Sequence, residues 1–316
     1  MISSIRVENF KGVKYQVYCF NRVSVVVDGY GVDCFLVIEC LWLLDRLARG
    51  MVTASAPYGW ISESNLTSLK LRITNEQLGK VCYEIGLQRF GLITKVLSEK
   101  LYSKDSIFLM RDRQGYSFGN KAQRFKIDSS QAALSVAMQF LGLDPITAIR
   151  SELTQSLLVV PNPLQMDSVI KYGLLDRDVV LRYLASHIVS QQQTHPIIYG
   201  VMMELLKELG SKITGFSVET NSLNVTYLAA RYARRFDNGS VPLELVGENE
   251  KMLIFATFIC AVNEYVNPIT VVWHSPLNWL GQQEGGEVVK MLVKSFSVRG
   301  QLILLSREND VLRGVK

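Results

Sequence analysis

Apolar and polar positions change rhythm twice along the chain. The opening stretch reads as short runs rich in Val, Ile, Tyr and Phe: Ser4 to Asn9, Lys14 to Phe20 and Val23 to Val27 each predict a strand. Asp28-Gly29-Tyr30-Gly31 is a turn cluster. From Cys34 to Leu47 the apolar residues run on, charges gather at the end and Gly50 follows, which predicts a buried helix. Ser68 to Thr74 and Lys80 to Gln88 predict antiparallel strands, and Ser106 to Arg111 another short one. From Ser129 to about Glu208 the spacing turns helical. Ser129 and Ser130 can cap a helix from Gln131 through Leu143, and further helical patterns cover Met166 to Ser190 and Ile197 to Leu209. The last part predicts a strand at Ile213 to Glu219, a long helix at Glu248 to Tyr265, a β-branched strand at Ile269 to Trp273, a helix at Glu287 to Phe296 and a strand at Gln301 to Leu305.

A buried strand, a helix and a second buried strand make a βαβ unit, which implies a parallel sheet. The opening strand, Gly turn and helix are the other half of the same design. The halves lie at opposite ends of the chain, so the core is expected to be assembled from both termini around a helical insertion. The expected organisation is an N-terminal lobe with antiparallel strands at 1–125, a helical insertion at 126–209 and a C-terminal lobe at 210–316.

Length and composition add bounds. The 316 residues suit one large or two small domains, and 48% apolar with 20% charged residues is ordinary for a globular chain. No apolar run reaches the roughly 18–20 residues of a spanning helix; the longest, Cys34 to Leu44, contains Glu39 and stops at Asp45. The N-terminus has no apolar h-region, so neither a signal peptide nor a membrane partner is expected. Cys19, Cys34, Cys40, Cys82 and Cys260 are scattered without a CxxC pair, which predicts reduced thiols in a cytoplasmic protein. His187, His195 and His274 have no zinc spacing, and neither metal nor cofactor is expected. The net charge of +5 permits nucleic acid or an acidic partner and demands neither.

The candidate chemistry begins with Ile2-Ser3-Ser4-Ile5-Arg6-Val7-Glu8-Asn9-Phe10-Lys11-Gly12. This opening is similar to the start of RecF, OLD and SMC-type ATPases, where a strand runs into Asn-Phe-(Lys/Arg)-(Gly/Ser) and a later strand delivers the phosphate loop. Val23 to Val27 lies at the expected distance. A functional loop reads G-x-x-x-x-G-K-[ST]. Here Gly29 and Gly31 remain, while Val26 stands for the first Gly, Val32 for the Lys and Asp33 for the Ser/Thr. Val32 brings no charge, and Asp33 brings a negative one to a polyanion site. Two unit charges about 4 Å apart cost roughly 4 kcal/mol at an effective dielectric near 20, on the order of a thousandfold in affinity. Asp33 also precedes a helix, where Asp is a favoured N-cap, so the resemblance implies a former phosphate site filled by the protein's own carboxylate.

The same wear recurs in the C-terminal half. Leu245-Val246-Gly247-Glu248 stands where the resembled family has Leu-Ser-x-Gly-(Glu/Thr), a loop that contacts the γ-phosphate held by an opposing head. Gly247 is kept and Val246 replaces the Ser. The family's Walker B strand ends in Asp-Glu-Pro-Glu, and its Asp and first Glu order Mg²⁺ and activate water. Here those two positions are His274 and Ser275, with Pro276, Asn278 and Leu280 remaining as the frame. The sensor His after the last strand is Arg307.

The resemblance covers about residues 1–115 and 210–310. It implies an α/β ABC-type ATPase head, a P-loop-like mixed sheet with antiparallel strands and a helical insertion, and a pseudo-ATPase. Such a subunit would serve as scaffold or binding partner of an active ATPase or effector, or pair with itself, in DNA repair or anti-phage defence. Two alternatives stay open: an ATPase completed by a partner chain, and a DNA-binding module. For the latter, Arg231, Arg234 and Arg235 share a helix face if Leu223 to Phe236 is helical; the ordinary reading is a solvated face. Lys290 and Lys294 are an i,i+4 pair with the same two readings. Trp273 and Trp279 flank His274 and read either as a stacking platform or as buried packing.

Overall fold

The computed structural model describes residues 1–27, 29, 33–51, 53, 56–112, 115–119, 124–141, 144–170, 184–233, 239–266 and 268–306. The chain forms two compact units, 1–21 with 33–156, and 22–32 with 157–316. The first three strands, β1 (Ile2–Phe10), β2 (Val13–Cys19) and β3 (Val23–Val27), are therefore divided between them.

Among the described residues the first unit is an antiparallel sheet with three α-helices. After β1 and β2 it holds α1 (Cys34–Ala48), β4 (Thr67–Asn75), β5 (Gly79–Phe90), β6 (Ile93–Tyr102), β7 (Ile107–Asp112), β8 (Gly115–Phe118), β9 (Arg124–Phe125), α2 (Ala133–Leu141) and α3 (Asp144–Gln155). The sheet order is β2-β1-β4-β5-β6-β7-β8-β9. In β4, Thr67, Leu69, Leu71 and Ile73 are buried while Ser68, Lys70, Arg72 and Thr74 face outward. That period of two gives a sheet with one covered and one wet face. Helix α1 packs against α2 and α3 and is buried around most of its girth, from Leu36 and Val37 to Leu43 and Leu44, as a helix without a polar face must be.

The second unit centres on a parallel sheet. It holds β3, β10 (Leu157–Val159), α4 (Leu184–Thr194), α5 (Pro196–Glu208), β11 (Ile213–Thr220), β12 (Thr226–Tyr232), β13 (Ser240–Pro242), α6 (Glu248–Tyr265), β14 (Thr270–His274), α7 (Gln282–Val298) and β15 (Gln301–Ser306). The parallel order is β10-β14-β15-β3, and β11-β12-β13 form a separate antiparallel sheet. Every residue of β14 and β15 is buried, the pattern of strands covered on both faces. Val271, Trp273, Leu302 and Leu304 pack with Phe255 of α6 and Leu292 and Phe296 of α7. The βαβ unit of β14, α7 and β15 is in place, and β3 arrives from the start of the chain to pair with β15, Val23 opposite Leu302.

Three sequence expectations are corrected. The helix on which Arg231, Arg234 and Arg235 would share a face is not present at Arg231: Thr226–Tyr232 is the central strand of a hairpin-built sheet, paired with β11 and β13. Residues 166–170 are extended rather than helical, with Val169 bridged to Tyr227; 171–183 lie outside the described residues, and Leu184–Thr194 is helical as expected up to Ser190. The helical segment 126–209 is shared, α2 and α3 lying in the first unit and α4 and α5 in the second, with β10 opening the second unit.

Candidate functional site

Three strand ends define one edge of the parallel sheet. The register of β3, β15 and β14 aligns Val27 with Ser306 and His274 with Leu305. Val26, Val27, the pair His274-Ser275 and Ser306 thus come to the carboxyl edge of one sheet. In open α/β sheets that edge is where ligands bind. Gly29 is exposed, and a Cβ added there would meet nothing within 4 Å, so no close approach demands glycine. Gly31, Val32 and Arg307 lie outside the described residues, as do Asp28 and Tyr30.

Asp33 opens the helical part of the first unit. Its backbone is extended, with φ −105° and ψ 108°, and its Oδ1 accepts the Phe35 N–H at 2.8 Å. Its carbonyl accepts the Tyr18 hydroxyl at 3.1 Å. Side chain and backbone are therefore both engaged in starting α1, with the carboxylate at the positive end of the helix dipole.

His274 ends β14 and is 6% exposed. Strand alternation sends its neighbour Trp273 the other way. Trp273 is fully buried, edge-on to Phe255 at 5.2 Å, and among the described residues its Nε1 has no hydrogen-bond partner. Trp279 is tied down through Nε1, which donates to the Pro161 carbonyl at 3.2 Å. Trp273 is core packing, and no paired tryptophan platform faces solvent here.

Ser275 leaves the strand in the left-handed region, at φ 48°. Its N–H donates to the Leu305 carbonyl at 2.6 Å, tying the turn to β15. Its hydroxyl lies 3.4 Å from His274 Nε2. That separation exceeds the roughly 2.6–3.2 Å of an activated nucleophile–base pair. Beyond Ser275 the frame residues close a tight turn, with Asn278 N–H on the Ser275 carbonyl at 3.3 Å. An imidazole and a hydroxyl are poor replacements for carboxylates around Mg²⁺, a hard cation that takes oxygen anions. Among the described residues, no group of three His, Cys, Asp or Glu is placed to hold a metal ion.

The second glycine loop lies at the start of α6. Val246 is buried, and Gly247 is the exposed N-cap, without a side chain to offer. One turn later stands a residue absent from the sequence expectations. Lys251 is 3% exposed, its Nζ donates to the Glu244 carbonyl at 2.7 Å, and desolvation holds its pKa below the ordinary lysine value. A lone lysine inside an apolar helix was the available signal.

The basic candidates are not brought to these strand ends. Arg231 lies exposed on β12, opposite Gly215 and Ser240, while Arg234 and Arg235 fall outside the described residues. Lys290 and Lys294 are exposed on α7, and Lys290 is paired with Glu287 at 2.8 Å. None of the five cysteines is in a disulfide, with Cys19 exposed and Cys34, Cys40, Cys82 and Cys260 buried. Among the described residues no helix is long and apolar enough to cross a membrane.

No protein-family model and no curated protein sequence matches the chain. Solved structures do. A structure of the SMC head bound to the C-terminal winged-helix domain of ScpA matches with a TM-score of 0.60 and 15% identity, over 99% of this chain and 92% of that one. An SMC head with an extended coiled coil, bound to the C-terminal domain of ScpA derived from Pyrococcus furiosus, matches with a TM-score of 0.52 and 10% identity, over 99% and 91%. The fold is that of SMC heads, an α/β ABC-type ATPase fold with an antiparallel sheet and helices.

Proposed function

We propose that this chain keeps the SMC-head-like fold without ATP hydrolysis and works as a scaffold that holds a protein partner. The observation that carries the reading is at the end of β14. By sequence resemblance His274 and Ser275 stand in for the metal-ordering Asp and the general-base Glu of the resembled ATPases, and neither supplies a carboxylate. Asp33 adds to it, because a carboxylate engaged with the first turn of α1 stands in the stretch that would otherwise meet phosphate. The partner is supported by the SMC heads of similar fold, which are bound to domains of ScpA. An active ATPase, an effector or a second copy of the chain would each suit this role, and DNA repair and anti-phage defence are the processes the resemblance suggests.

Calorimetry with ATP and Mg²⁺ on the isolated chain tests the reading, and no heat of binding is expected. Micromolar affinity would overturn it and favour a composite site completed by a partner chain. A second test installs the missing loop chemistry. The double substitution Val32→Lys with Asp33→Ser is expected to leave hydrolysis at background, since His274 and Ser275 still lack a carboxylate. Turnover by that variant would show that the catalytic positions were misassigned.

A further inference from the structure

In the second unit, α5 and the C-terminal halves of α6 and α7 border an open groove of about 490 Å³. On the α5 wall, Val201, Leu205 and Leu209 form a line, edged by Glu204 and Glu208. On the α7 wall, Met291, Ser295 and Val298 form a second line, edged by Lys290 and Lys294, with Glu287 beside them and ion-paired to Lys290 at 2.8 Å. Spacings of three and four residues put each set on one helix face. Val298 is 76% exposed, and Tyr265 at the end of α6 is 42% exposed. Glu204, Glu208 and Lys294 are exposed, and among the described residues none of them forms an ion pair. The groove therefore has two apolar lines, an acidic α5 wall with Glu204 and Glu208, and an α7 wall of mixed but net positive charge on which Lys294 stands outside the Lys290–Glu287 pair.

We infer that the occupant of this groove is a second copy of the chain, in a two-fold dimer that sets α7 of each copy against α5 of the other. A two-fold interface uses the same patch twice, so the patch must complement itself. A patch of one sign would repel its copy. This patch carries both signs on opposite walls, and the two-fold operation lays acid on base twice. The lines Val201-Leu205-Leu209 and Met291-Ser295-Val298 supply the apolar contact, as the seam of a helix pair does, and the flanking charges select partner and orientation. A ridge enters a groove in helix packing, and α7 is the wall of one groove and the ridge that fills the other. The inference is independent of the nucleotide chemistry proposed above.

Sedimentation equilibrium of the full chain over a concentration series tests it. Self-association that weakens with added salt is expected. Glu204→Lys with Glu208→Lys, and separately Lys290→Glu with Lys294→Glu, are each expected to raise the dimer Kd by about tenfold or more, since several exposed pairs turn from attractive to repulsive. Mixing the two variants is expected to restore association, because each supplies the charge the other now needs. Val298→Asp, at an exposed position, is expected to weaken the dimer with an unchanged melting temperature. A chain that stays monomeric throughout, a Kd indifferent to the charge reversals, or a mixture of folded variants that fails to recover would overturn the inference. ATP binding without self-association would likewise overturn this inference while counting separately against the scaffold reading.

Discussion

Gly300 occupies a position where only a hydrogen fits. Its φ is +76°, and a Cβ would stand 2.1 Å from Asn263 Oδ1 and 2.7 Å from the Ile269 carbonyl. Asn263 is buried, accepts the Ile269 N–H at 3.2 Å and donates to the Arg299 carbonyl at 3.0 Å, so it joins α6 to the start of β14 and to the turn between α7 and β15. Gly300→Ala therefore combines backbone strain with loss of those bonds. It is expected to lower stability by about 2–4 kcal/mol, read from urea unfolding. Asp33→Ala removes a single cap and is expected to lower stability by about 1 kcal/mol in the same assay. A loss near zero would mean that Asp33 does not hold the start of α1. The cap was legible in the sequence, as an Asp directly before an apolar run. The left-handed Ser275 was not, because a serine in that conformation leaves no mark in composition or spacing.

Strands with an unbroken apolar run were readable, and a strand interrupted by buried polar groups was not. Ile269 to Trp273 and Leu302 to Leu305 are β-branched or apolar throughout, and their strands appear within a residue of their expected ends. β6 went unpredicted because Thr94, Ser98 and Glu99 interrupt its apolar pattern. Glu99 is 1% exposed there, and its oxygens accept the Ala133 and Leu134 N–H groups at the start of α2, at 2.7 and 2.9 Å, and the Tyr83 hydroxyl at 2.9 Å. β12 was mistaken for a helix because Leu228, Ala229 and Ala230 are good helix formers; pairing with β11 and β13 overrides that preference. Glu99 also makes stability depend on pH. Burial raises its pKa against the donors around it and the nearby Arg111, so the folded state holds this proton more tightly than the unfolded chain. Its contribution is full below the unfolded carboxyl range and is lost as pH rises through the raised folded value. Wild type is thus expected to lose melting temperature relative to Glu99→Gln between acid and neutral pH. A difference independent of pH would refute this.

At the scale of the molecule, the expectation that both ends of the chain build one core is realised in a single pairing, Val23 to Val27 alongside Leu302 to Ser306. It was legible because a βαβ pattern near the end left room for one more parallel strand, and the opening supplied it. The groove of α5, α6 and α7 was not legible, since it exists only once three separate helices are assembled. The pairing predicts how the backbone opens. Amides of β3 are expected to exchange with solvent at the rate class of β15, and not with β2, their neighbour in sequence, because the division between units falls at Asn21 and Arg22. Hydrogen exchange with peptide resolution reads this directly, and common protection of β2 and β3 would contradict it. The same pairing sets a clock on biosynthesis. On a ribosome, β3 emerges well before β15 and waits for it, roughly 15–55 s at about 5–20 residues per second. Through that interval a hydrophobic strand, Val-Ser-Val-Val-Val, has no edge to join. A nascent chain of this protein is therefore a client for holding chaperones until its closing strand appears, and any message truncated before residue 301 yields a product that never stops being one.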